Sequence, residues 1–101
     1  MNDYIFLMHD DAPEGGDGGS AGDWRTYIAM LAKHGGFDGG SEIGDGECVN
    51  KSGVSSEITT HLVGYLLVQA KDMAAAKELL KGNPVFEAGG TIEIRELPQM
   101  G

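Results

Sequence analysis

The run Leu62 to Gln69 constrains this chain more than any other stretch. Its apolar residues fall at even and odd positions alike, broken by Gly64 and closed by Gln69. A strand alternates its side chains between two faces, so a segment apolar at both parities must be covered twice and belongs in the interior of a sheet. Tyr4 to Met8 has the same character, with Ile5 and Leu7 on one side and Tyr4, Phe6 and Met8 on the other. Both segments are therefore expected in central places of one sheet.

After Leu62 to Gln69, Asp72 stands where an N-cap belongs, and Met73, Ala76, Leu79 and Leu80 recur at helical spacing behind it. Lys77, Glu78 and Lys81 form the polar side of this helix. Gly82 suits the left-handed turn that closes a helix, and Pro84 cannot prolong one, so the stop is marked twice. Thr91 to Glu96 alternates Ile92 and Ile94 with Thr91, Glu93 and Arg95, the period of a half-exposed strand.

Upstream, His9 to Gly22 turns abruptly acidic and glycine-rich and reads as a mobile loop. Ser20 or Asp23 can cap a helix whose Trp24, Tyr27, Ile28 and Leu31 form one apolar stripe and which Gly35 and Gly36 end. Between Phe37 and Val49 glycines break every period, leaving Glu42-Ile43 and Glu47-Cys48-Val49 as the extended parts of a short or bulged edge strand. Asn50 to Thr60 is polar and turn-rich, a hairpin connection. The order strand, helix, strand, strand, helix, strand is that of an α+β ferredoxin-like fold, an antiparallel sheet with its first and third strands in the middle. Both helices then cover one face. The other, partly apolar, is expected to pack on a second copy, giving a homodimer through sheet faces.

The 101 residues, 41% of them hydrophobic, suffice for one domain with a modest core. Sixteen acidic against seven basic residues give a net charge of −9, which argues against nucleic acid and anionic membranes as partners. The single Cys48 allows no intramolecular disulfide. No secretory leader and no apolar run near the roughly 20 residues of a membrane span is seen, so a soluble cytoplasmic protein is expected.

Gly16 to Ala21 formally fits the Gly-x-Gly-x-x-Gly/Ala fingerprint of dinucleotide sites. It begins well beyond the strand end, however, and lies among Asp10, Asp11, Glu14 and Asp17, which would repel phosphate. The same acids lack the ligand spacing of a calcium loop. His9, His34, His61 and Cys48 show no paired spacing for a metal, so neither cofactor nor metal is expected. His34, in the last turn of its helix, is accounted for by the helix dipole. His61 directly precedes a central strand, with Glu57 four residues earlier, and is the candidate proton shuttle. Trp24, Tyr27 and Tyr65 are candidates for an aromatic pocket between sheet and first helix, or else members of the core.

Phe37-Asp38-Gly39-Gly40-Ser41-Glu42-Ile43 resembles the Gly-Gly-x-x-Leu segment of YCII-related proteins, in the subgroup labelled by its Asp-Gly-Pro-Phe motif. Leu62-Val63-Gly64-Tyr65 resembles that subgroup's Leu-Gly-Gly-Tyr, and Pro84 to Gly90 followed by Ile92-Glu93-Ile94-Arg95 is similar to its ending. The resemblance implies a dimeric α/β barrel, with relatives among monooxygenases and lactone isomerases, and an activity attributed to a conserved His and Asp. Here Ser52-Gly53-Val54-Ser55 occupies the Asp-Gly-Pro-Phe position, Tyr27 the helix position of that His, and Glu57 matches a nearby acid. Two functions stay open. One is a small-molecule-binding homodimer of unknown ligand, regulatory in role. The other is a cofactor-independent isomerase, lyase or monooxygenase in which His61 is the base, Glu57 its partner, and Tyr27 or Arg95 positions the substrate.

Overall fold

The computed structural model describes residues 1–13, 21–54 and 57–98. Its elements are β1 (Asn2–His9), α1 (Ala21–His34), β2 (Phe37–Glu42), β3 (Val49–Asn50), β4 (Gly53–Val54), β5 (Leu62–Ala70), α2 (Met73–Glu78), α3 (Pro84–Glu87) and β6 (Ile92–Leu97). Four strands form one antiparallel sheet in the order β2-β5-β1-β6, and β3 and β4 form a separate ribbon. The two segments apolar at both parities, β1 and β5, are its central pair. This is the ferredoxin-like α+β arrangement, with the ribbon inserted ahead of β5.

The β1–β5 register sets Phe6 opposite Leu66 and Leu7 opposite Tyr65, while β6 brings Ile94 opposite Phe6 and Glu93 opposite Leu7. The pleat therefore sends Tyr4, Phe6, Met8, Leu66, Val68 and Ala70 to one face, where all are buried. The helices meet them there with Tyr27, Leu31, Ala76, Leu79, Leu80 and Val85. On the opposite face Ile5, Leu7, Tyr65 and Leu67 are only half-buried.

Several local features differ from the expectations above. Asp72 caps α2 as expected, accepting from Ala75 N at 2.9 Å, but the helix ends at Glu78 and Met73 is exposed. Gly82 has a φ of +88°, as a helix-closing residue should. Pro84 does not only end a helix. It opens α3, where its missing N–H is harmless in the first turn, and Asn83 Oδ1 accepts from Val85 N at 3.0 Å and Phe86 N at 3.1 Å. The edge strand β2 runs over Phe37–Glu42, because Gly40 lets the backbone approach β5 where a side chain would collide, and it does not include Glu47-Cys48-Val49; Val49 pairs instead with Val54 in the separate ribbon. Asp23 lies inside the first turn of α1 and is not its cap. Ser20, the acidic segment 14–20 and nearly all of the Gly-rich fingerprint lie outside the described residues. Among the described residues no helix is long and apolar enough to cross a membrane.

Tyr27 ties α1 to the α2–α3 layer. Its hydroxyl donates to Leu79 O at 2.7 Å, and burial pushes the phenol up to about 12, opposed by the neighbouring Asn83 side chain. The Asn83 Nδ2 is buried without an acceptor in hydrogen-bonding geometry among the described residues, yet its positive end still favours a phenolate. The raised pKa means that above pH 10 the unfolded chain releases this proton first. Its contribution to stability is complete below about pH 10 and is lost as pH rises toward 12, at about 1.4 kcal/mol per unit before any solvent screening. In urea unfolding followed from pH 8 to 12, Tyr27→Phe is expected to cost about 1 kcal/mol at pH 8. It is also expected to lose less stability than the wild type between pH 10 and 12.

Candidate functional site

The shape of the principal cleft follows from β2. A Cβ on Gly40 would lie 2.3 Å from Tyr65 O and 2.7 Å from Leu66 Cδ2, so only glycine allows the strand to sit where it does. Gly39 has a φ of +103° and the pairing slips between Phe37 and Gly40, so β2 joins β5 through a bulge. Without side chains at 39 and 40, the space between β2, β5 and α1 stays open. It is a cleft of about 890 Å³, walled by Trp24 and Ile28 of α1, by Phe37 and Ile43, by Met8, Val63 and Leu66, and by Val85 of α3. Glu42, opposite Gly64, is on the helix side, while Ser41 and Tyr65, paired across the two strands, border the cleft from the sheet with their side chains on the face of Leu7. A smaller hollow of about 380 Å³ lies near Asp3, Asp38 and Pro98.

Of the aromatic candidates, Trp24 and Tyr65 border the cleft. Tyr27 stands behind Trp24, ring centroids 6.1 Å apart in an edge contact, and belongs to the core. Arg95 is outside the cleft, on the half-covered sheet face, where its Nη1 donates to Glu93 Oε2 at 3.1 Å. His61 and Glu57 are not bonded: Glu57 accepts from Cys48 Sγ through its carbonyl at 3.7 Å, and among the described residues no hydrogen bond or ion pair joins it to His61. Ser52 sits at the tip of the β3–β4 ribbon, its amide bonded to Asn50 Oδ1 at 2.8 Å, with Gly53 at a φ of +118°.

His61 has a partner that spacing could not reveal. Its ring meets His9 edge-on, centroids 4.8 Å apart, and Asp10 N donates to His61 O. His9 in turn lies 3.0 Å from Glu93 Oε1 through Nε2. The Glu93 carboxyl is lowered from its ordinary value, first by the bond from Arg95 and then by that from His9. Asp11 nearby is lowered by the hydroxyl and amide of Thr91, which donate to it at 2.6 and 2.7 Å and anchor the end of β1 to the start of β6. No group of three or more His, Cys, Asp or Glu among the described residues is arranged to hold a metal.

Among solved structures the chain is similar to 5-chloro-2-hydroxyhydroquinone dehydrochlorinase from Burkholderia phenoliruptrix in complex with 2,5-dihydroxybenzoquinone. The TM-score is 0.59 at 12% identity, covering 97% of this chain and 95% of that one. At such low identity the likeness establishes the fold. No family model matches the chain, and no curated protein matches its sequence.

Gly40→Ala is expected to detach β2 from β5 and destabilise the fold by about 1–3 kcal/mol, since backbone must move to admit the methyl group. Gly44→Ala, where a Cβ would meet nothing within 4 Å, should leave the melting temperature nearly unchanged. Thermal unfolding of the two variants beside the wild type checks both.

Proposed function

We propose that the chain is a YCII-related, ferredoxin-like domain over 1–101 that binds a small molecule in the cleft beside Trp24 and acts as a homodimer joined through the half-covered sheet faces. The cleft carries this reading. Its walls are mainly apolar and aromatic, Glu42 can accept a hydrogen bond, and among the described residues no Lys or Arg lines it to hold an anionic ligand. Such a lining favours a neutral ring compound bearing hydroxyl groups. The fold likeness to a dehydrochlorinase that holds a dihydroxybenzoquinone is in keeping with that choice. Support for the dimer is the row Ile5, Leu7, Tyr65 and Leu67, apolar and half-exposed in one copy.

A second reading is a cofactor-independent enzyme of isomerase, lyase or monooxygenase type with a histidine base, His61 and Glu57 being the pair nominated by spacing and Arg95 a substrate-positioning group. One observation favours it: the ring of His61 lies against His9, which is itself bonded to a carboxylate.

Trp24 is the one tryptophan of the chain, so its fluorescence reports the cleft directly. Substituted hydroquinones and phenols, kept reduced so that no quinone alkylates Cys48, are expected to quench it. They should also raise the melting temperature, a ligand at a hundredfold its Kd adding about 2.7 kcal/mol. Trp24→Ala should abolish the thermal shift. A monomer by light scattering would overturn the dimer, and a library without any hit would overturn the binding role.

A further inference from the structure

We infer that His9, which sequence spacing passes over, is the proton acceptor of an acid–base site on the half-covered sheet face, for a weak oxygen or carbon acid whose conjugate base is an oxyanion. The inference supplies a base for the enzymatic reading and does not depend on the cleft, since none of His9, His61, Glu93 and Arg95 lines it.

With Glu93 Oε1 at 3.0 Å from Nε2, the proton of a neutral His9 is held on Nε2, leaving the lone pair on Nδ1. Among the described residues Nδ1 has no hydrogen-bond partner. The carboxylate that orients the ring also stabilises the imidazolium formed when Nδ1 takes a proton, and Arg95 fixes that carboxylate through its other oxygen.

His9 N donates to Thr91 O, Asp10 N donates to His61 O, and the His61 ring packs edge-on, so the ends of three strands hold the imidazole in place. The side chain of His9 is 18% exposed in one copy, closed enough to be ordered, and at the last residue of β1 beside the edge strand β6 it opens at the rim of the face that the proposed dimer covers. The β1–β5 register also shifts between Met8 and His9, with Val63 as the extra residue on β5, a bulge that re-aims the side chain at position 9.

In the step assigned here, a proton of an O–H or C–H acid passes to His9 Nδ1 and its electron pair remains on the substrate as phenolate or enolate. Arg95, 67% exposed, gives Nη1 to Glu93 and keeps further guanidinium donors for such an oxyanion.

The test uses the whole chain and 5-nitrobenzisoxazole, a probe that needs only a placed base. Its C3–H proton goes to the base, the C–H electron pair forms the nitrile, the N–O bond breaks, and the coloured phenolate leaves. Wild type is expected to exceed an equal concentration of free imidazole by about 100-fold or more, within the range of a positioned base. His9→Gln should fall to the buffer rate, and His9→Ala should be rescued by added imidazole. Glu93→Gln should lose about tenfold and His61→Gln less than about threefold, with folding of each variant checked by thermal melting. A wild type no faster than imidazole, a His9→Gln variant that keeps its rate, or loss of the rate through His61→Gln alone would each overturn the assignment. Ligand binding in the cleft is read by Trp24 quenching and the probe rate by the His9 variants, so failure of the cleft reading and failure of this one are separately visible.

Discussion

The antiparallel pairing of β1 with β5 is the constraint on which the rest of the structure depends. Each strand is apolar at both parities, and once Phe6 faces Leu66 every other side chain of the pair has its face assigned. A slip of one residue would put Ile5 and Leu7 against the helices and expose Phe6, which is now wholly buried. The helices then have no choice of side. Tyr27 and Leu31 of α1 and Leu79 and Leu80 beyond α2 fill the face that holds Tyr4, Phe6 and Met8.

That pairing also builds both places where chemistry can occur. On the helix side, β5 meets an edge strand whose glycines bring the backbones into contact and leave a hollow that larger residues would fill. On the opposite side, β1 carries β6 as its second neighbour, and the register that sets Ile94 against the core turns Glu93 and Arg95 to the other face beside His9. An apolar cleft and a charged histidine cluster thus lie on two faces of one sheet, separated by its thickness. They need not serve the same step.

β1, β5 and β6 and the face of α1 were legible because they rest on period and parity, which local sequence carries in full. Other features were not. Pro84 was readable as a stop and not as a start, since a proline in the first turn of a helix looks the same in sequence as one that follows a helix. The glycines of β2 carry no β propensity, and their place in the sheet comes from a close backbone approach that only the partner strand makes necessary. His61 was paired with Glu57 by proximity along the chain, whereas its ring contact is with His9.

Sequence alone determined the class of fold, the central pair of strands and the likeness of several short motifs to a family, because alternation and capping are local properties of the chain. Tertiary structure decided the rest: which carboxylate meets which imidazole, and where a cavity stays open. His9 and Glu93 are separated by 84 positions and meet because two strands share β1 as neighbour. No spacing rule can anticipate a contact whose distance is set by the register of a sheet.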